Sequence, residues 1–324
     1  MVVLRFFGLL TLLTALAVGA KDSDSVGYPI PIPRNMNQVD FSRSIIDYWT
    51  SQRRTNAKPK DEIALGTSGW YQSVRRSSND LPRSTPSVAP SIKIDATGSA
   101  RSTGTLTPPP MIGKVFFVMN GADYVCSASV VTATNRNTVL TAGHCVYNTN
   151  TKKWATKFLF VPAYSNGLSR YGSWTAHHFA ALNGWMNNHD HNYDVAIAAM
   201  NTNSRGQHIQ DVTGALGMTA NWPKEATVYA FGYPVSLSGG KLMSRCMSNS
   251  STVSFVSGFD GIKLPCGMTA GASGGPWIQN FNTTTLQGRQ TSVNSFFMPS
   301  HPGYMFGPYF NTDIWNFFKS HENA

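Results

Sequence analysis

The chain has 324 residues, 41% hydrophobic and only 13% charged, with 28 glycines and with 18 Phe, 12 Tyr and 8 Trp. That apolar share can build a core and excludes disorder over most of the length, and the glycine–aromatic mix suits a turn-rich β protein better than a helical bundle. The net charge of +10 is dispersed, the longest basic clusters being pairs such as Arg53-Arg54, Arg75-Arg76 and Lys152-Lys153, so no basic stripe is present to track a phosphate backbone and nucleic acid is excluded as a partner.

In chain order, residues 1–20 read as a secretory signal. Arg5 supplies the positive start, Phe6 to Val18 the apolar run, and Val18-Gly19-Ala20 a small-residue cleavage site. The apolar run from Phe6 to Ala20 is shorter than the ~20 residues needed to cross a bilayer, and no later stretch is apolar enough. A secreted, extracellular protein without stable membrane association is expected.

Residues 21–110 carry 10 of the 18 prolines but few aromatics. Ser77 to Ser91 is polar and proline-bearing, and Pro108-Pro109-Pro110 closes the region like a stiff spacer. Such residues bury little apolar surface, so a loosely folded extension is expected. It holds one short helical piece around Phe41 to Trp49 and basic processing points at Arg75-Arg76, Arg83 and Arg101.

From Met111 the texture changes to short strands separated by Gly, Asn, Asp and Ser. The predicted strands are Ile112–Val118, Tyr124–Val131, Val139–Ala142, Lys157–Pro162, Val195–Ala199, Thr227–Gly232, Leu242–Met247, Pro276–Gln279 and Thr291–Phe297. Their number and spacing predict an all-β sandwich or barrels. The last segment is a short amphipathic helix, with Thr312 as cap and Ile314, Phe317 and Phe318 on one face.

In an oxidising compartment the four cysteines pair. Of three pairings, sequence proximity favours Cys126–Cys145 and Cys246–Cys266, each closing a loop worth about 3 kcal/mol in the chain-entropy model. Asn249 and Asn282 head glycosylation sequons.

Three local patterns carry chemistry. Gly271-Ala272-Ser273-Gly274-Gly275-Pro276 surrounds a serine with glycines. A serine hydroxyl needs a base and a set of donors for the oxyanion, and glycines let the backbone turn so that the N–H groups of Gly271 and Ser273 converge. Thr141-Ala142-Gly143-His144-Cys145 places a proton-shuttling imidazole just past a strand, beside a half-cystine. Asp194 opens the apolar run Val195-Ala196-Ile197, where a buried carboxylate needs a partner such as a histidine N–H. Asp190, in His189-Asp190-His191, is the competing acid and reads as solvated.

The order His144, Asp194, Ser273 and the three blocks together resemble the chymotrypsin-like (trypsin-like) serine endopeptidases from about Met111 to Phe318. Cys266-Gly267-Met268-Thr269, Ser273–Trp277 and Met305-Phe306-Gly307-Pro308-Tyr309-Phe310 resemble the secreted microbial branch that includes the glutamyl endopeptidases. The resemblance implies two antiparallel six-stranded β-barrels over about 111–205 and 225–310, a cleft between them and a short C-terminal helix. It implies a protease domain over 111–324 preceded by a pro-segment over 21–110, hence a zymogen, and an acyl-enzyme mechanism that needs no cofactor. It makes Cys126–Cys145 the histidine-loop disulfide, places Ser295 on the strand that pairs with substrate, and Gly267 in the specificity pocket.

Three positions depart from that family. Ala272 stands where digestive proteases carry an aspartate that pairs with a freed N-terminus, so activation must work otherwise. Gly267 is not the aspartate of an Arg/Lys pocket, and Asn294 is not the histidine of glutamyl endopeptidases, so neither specificity follows. Protein or peptide substrates and a monomer are expected. Two other readings are a catalytically silent protease-fold binding protein, and a metal hydrolase using His177, His178, His189 and His191. The first conflicts with an intact set of three residues. The second lacks a His-Glu-x-x-His helix, and His177 and His178 would face opposite sides of a strand.

Overall fold

A computed structural model of the chain describes residues 23–61, 80–91 and 108–324. The expected signal sequence over residues 1–20, Arg75-Arg76, Arg101 and the start of the Ser77–Ser91 stretch lie outside the described residues.

The described residues of the N-terminal region, 23–61 and 80–91, are more ordered than their composition predicts. They form β1 (Ser25–Pro29), α1 (Gln38–Tyr48), α2 (Ser51–Asn56), β2 (Lys58–Pro59) and β3 (Arg83–Ser84). α1 starts where the Asn37 side chain accepts the Asp40 N–H at 2.9 Å, a cap that satisfies one orphan donor of the first turn. The order comes from a few deep anchors, not from overall apolarity. Trp49, 2% exposed, rests on Phe116 with ring centroids 5.5 Å apart, and its Nε1–H donates to Lys157 O at 2.6 Å. Ile45 is buried beside it in the same core. Tyr48 Oη and Arg53 both donate to Asp123, at 2.6 and 3.0 Å. Removing a buried Trp side chain costs about 3–5 kcal/mol. Trp49→Ala therefore lowers the Tm of the full chain by at least about 5 °C in a thermal melt, whereas an unchanged Tm contradicts the anchoring.

The first half of the remaining chain contains β4 (Ile112–Met119), β5 (Ala122–Val130), β6 (Thr138–Thr141), a small hairpin of β7 (Tyr147–Asn148) and β8 (Lys153–Trp154), β9 (Thr156–Pro162), β10 (Trp174–Leu182), α3 (Asn183–Asn188) and β11 (Ala196–Met200). Strands 4, 5, 6, 11, 10 and 9 pair in that order, and β9 pairs back to β4 to close a six-stranded antiparallel barrel. Closure leaves those ladders without a free edge between strands; Phe117, Phe158 and Phe179 pack on one another, while Phe116, on the opposite face of β4, meets Trp49 and Tyr164. β10 had no sequence signal, because Ala and His dominate it. Its strand state follows from pairing on both sides, with β11 and with the N-terminal β1.

After α4 (Ile209–Thr213) come β12 (Gly217–Ala220), β13 (Thr227–Gly232), β14 (Ser244–Asn249), β15 (Ser251–Thr252), β16 (Ile262–Pro265), β17 (Pro276–Gln279), β18 (Arg289–Val293), β19 (Tyr304–Gly307) and α5 (Thr312–His321). They make one sheet in the order β14-β13-β17-β18-β12-β3 and a second in the order β15-β16-β19, so the second half is two sheets and not one closed ladder. Ser295 N–H donates to Phe306 O at 2.9 Å and carries the chain from one sheet to the other. Sequence reading missed β12, β16 and β19, each only four residues long. The cap of α5 is Asn311, whose side chain accepts the Ile314 N–H at 3.1 Å, not Thr312. No helix among the described residues is long and apolar enough to cross a membrane.

Both proximity-favoured disulfides are present, Cys126–Cys145 and Cys246–Cys266. Asn249 ends β14 and Asn282 opens a turn, both exposed. Arg83 is paired in β3 against Ala220.

Candidate active site

The acid is set first. Asp190 Oδ1 accepts the Asn192 N–H at 2.9 Å and caps the tight turn His191–Tyr193 that delivers Asp194 to the mouth of β11. Asp190 is 1% exposed, so its expected solvation is corrected: it shapes the turn from inside. Asp194 is fully buried. Its Oδ1 accepts the His144 backbone N–H at 2.9 Å, and its Oδ2 faces His144 Nδ1 at 2.9 Å and accepts the Ser295 hydroxyl at 2.5 Å. Burial alone would raise this carboxyl. The charge and hydrogen bond of His144, then His191 and Ser295, outweigh burial and hold it well below the ordinary carboxylate range.

An ionised carboxylate only accepts, so in the neutral ring the proton facing it sits on Nδ1 and the lone pair is left on Nε2. His144 Nε2 is buried and without a hydrogen-bond partner among the described residues. The ring stands edge-on to Trp185, centroids 6.1 Å apart, and the turn Gly143–Cys145 is tied to β5 through Cys126. Gly143 is required here: a Cβ would lie 2.7 Å from the Trp185 ring and 3.0 Å from Asp194 Oδ1.

The serine turn is fastened to the same place. Gly271 and Gly274 hold φ values of 91° and 80°, the left-handed region that L side chains avoid. A Cβ on Gly274 would lie 2.1 Å from Thr141 Oγ1 and 2.4 Å from Ser127 O, so its absence lets the turn lie against the strand that leads to His144. Ser127, on β5, donates its N–H to Ser273 O at 2.7 Å and its hydroxyl to Gly271 O at 2.9 Å. Asn294 binds the turn from the other side: its Nδ2 donates to Ala272 O and Phe231 O, each at 2.9 Å. Ser273 itself is nearly buried. Its hydroxyl makes no bond to His144 Nε2 here, and such bonds in free enzymes are commonly long and tighten around substrate. The N–H groups of Gly271 and Ser273 donate to no acceptor among the described residues, whereas those of Ala272 and Gly274 are engaged.

The structure thus brings His144, Asp194 and Ser295 into one hydrogen-bonded line and the Ser273 turn against it. Ser295 directs its hydroxyl to the acid. Gly267 is exposed, and a Cβ there would meet nothing. Ala272 is fully buried against Gly232. Ser127 escaped sequence reading; the signal was a polar side chain inside an apolar, buried strand, which must find an internal partner.

A trypsin-like peptidase domain matches residues 126–283. The protease Anisep of Arthrobacter nicotinovorans is 39% identical, with 68% of this chain covering 99% of that one at a TM-score of 0.63. A thermostable serine protease, AL20, of an extremophilic microorganism is 36% identical, with 67% of this chain covering 98% of that one at a TM-score of 0.62. A Bacillus subtilis protein named extracellular metalloprotease is 25% identical over 265 residues, 80% of this chain and 72% of that protein. The metal in that name finds no fitting donor set here: among the described residues the one group of three close donors is Cys126, His144 and Cys145, and its two sulfurs are bonded to each other. His177, His178, His189 and His191 form no such group. On the strength of its match to two proteases over nearly their whole length, the chain belongs to the trypsin-like serine endopeptidases.

Proposed function

We propose that the chain is made as the precursor of a secreted, monomeric serine endopeptidase, with a signal over residues 1–20, a pro-segment over 21–110 and a catalytic domain over 111–324 whose second half is the family's second barrel. Ser273 attacks the peptide carbonyl, and His144 Nε2 takes its proton and returns it to the leaving amine. Asp194 keeps the ring in that tautomer and stabilises the imidazolium, and the N–H groups of Gly271 and Ser273 receive the oxyanion. Water then hydrolyses the acyl-enzyme, with His144 acting again. The observation that carries this reading is the buried carboxylate of Asp194, bonded to both the backbone and the ring of His144, with Nε2 left free.

The N-terminal region supports the precursor reading. Residues two apart on a strand present their backbone groups to the same edge. On β5, Ser127 N–H holds Ser273 O, and two residues away Val125 O accepts Lys60 N–H at 3.0 Å, next to β2, which pairs parallel to β5. The extension thus takes up the strand edge that leads away from the nucleophile, where an extended peptide would add as a strand. Cutting it away opens that edge, an activation that needs no carboxylate at Ala272.

A fluorophosphonate probe added to the secreted protein labels it once, and mass spectrometry finds the adduct on the peptide carrying Ser273 and a mature N-terminus near Met111. A folded, mature protein that takes no label overturns the catalytic reading in favour of a silent binding protein.

A further inference from the structure

We infer that Asn294 is a positioning residue for the oxyanion donors: its side-chain amide sets the direction of the Ser273 N–H. This rests on Ser273 being the nucleophile. A trans peptide is planar, and its C=O and N–H point in opposite directions. Whatever holds the carbonyl therefore aims the N–H of the next residue. The peptide before Gly271 is held by main chain, with Ala270 O accepting Val235 N–H at 2.7 Å. The peptide before Ser273 is held in part by a side chain: Ala272 O accepts Gly275 N–H at 3.0 Å and Asn294 Nδ2 at 2.9 Å.

The amide can stand only one way round. Its Nδ2 faces two carbonyls, Phe231 O and Ala272 O, which only accept, and its Oδ1 faces Trp277 Nε1–H at 2.7 Å, which only donates. The backbone of Asn294 keeps it in step with the turn: its N–H donates to Gly275 O at 2.8 Å and its O accepts Gly274 N–H at 2.7 Å. Asn294 is fully buried, and every side-chain partner is internal. Its Nδ2 and Oδ1 are both engaged by internal partners, so the position is not expected to read the substrate side chain. It fixes the turn that the substrate oxygen meets.

The test compares Asn294→Asp with Trp277→Phe, both assayed per active site titrated with a covalent serine reagent. Asn294→Asp is isosteric but turns an oxygen toward the two carbonyls. Full loss of one oxyanion donor lowers kcat about 10²- to 10³-fold, and a misdirected donor about 10- to 100-fold. The expected result is that drop in kcat with KM within about threefold. A peptidyl boronate, whose tetrahedral adduct places an oxygen against the same N–H groups, weakens by the same factor as kcat/KM. Trp277→Phe removes the donor that orients the amide, gives the same pattern with a smaller loss, and carries the test if Asn294→Asp fails to fold. Wild-type kcat per titrated site in the folded variants overturns the inference, since a merely structural role only lowers the number of sites. So does a loss confined to KM, which would make the position a pocket residue. Ser273→Ala keeps the two readings apart. Activity surviving in that variant sinks the nucleophile assignment, whereas its loss beside a wild-type kcat in Asn294→Asp sinks this inference alone.

Discussion

Ser273→Ala is expected to lower kcat on a peptide substrate by about 10⁶-fold and to leave the Tm within about 2 °C of wild type. The change deletes one oxygen that makes no hydrogen bond to His144 in the free protein, so little stability goes with it. The bonds that shape the turn are made by backbone and by neighbours, from Ser127 to Ser273 O and Gly271 O and from Asn294 to Ala272 O. They survive the substitution. The free N–H groups of Gly271 and Ser273 survive too, and they account for a residual rate above that of water. Casein cleaved by the variant as fast as by wild type would remove Ser273 from the mechanism.

Asp194→Asn is expected to lower kcat by about 10⁴-fold. The reason lies in the count of donors around the carboxylate. His144 N–H, His144 Nδ1–H and the Ser295 hydroxyl all point at it. An amide offers one accepting end and one donating end. With its NH₂ toward Nδ1 the ring must carry its proton on Nε2, where it cannot accept one from serine. Asp190→Asn is the control: asparagine caps a turn as well as aspartate does, so its loss is far smaller. A larger loss from Asp190→Asn than from Asp194→Asn would reassign the acid.

The same carboxylate ties stability to pH. Its folded pKa lies below the ordinary value of 3.8, so the folded state binds fewer protons than the unfolded one as the solution is acidified. The stabilisation is complete above about pH 4 and is lost as pH falls through the folded value. Asp194→Asn removes that component of the acid limb of a pH–stability curve.

The core strands and the site residues were legible for different reasons. Thr227–Gly232 and Pro276–Gln279 are bounded as predicted because short apolar runs between turn residues mark a strand without reference to its neighbours. β10 was not legible. Its Trp-Thr-Ala-His-His-Phe-Ala-Ala-Leu run has weak β preference, and it is a strand because one edge pairs with β11 and the other with β9 and β1 in turn. In the N-terminal third the helical piece expected around Phe41 to Trp49 is present as α1, but composition understated how firmly the described residues dock. Prolines and polar residues predict looseness, but Trp49 and Ile45 reach a core built by residues far along the chain. Asp190 looked solvated from its polar neighbours and is buried because the turn it caps folds inward.

The amino-acid order alone singled out three candidate groups and their succession: an imidazole beside a half-cystine, an acid opening an apolar strand, an alcohol among glycines. Residue type and local spacing carry that information because they decide what a side chain can donate, accept or release, and where a chain can turn. Only the tertiary structure decided how those groups are held. Ser127 and Asn294 grip the Ser273 turn from opposite sides, and Lys60 lies on the strand edge beside it. The partner of a buried polar atom is whatever packing places against it, and no rule of local sequence reaches across that distance.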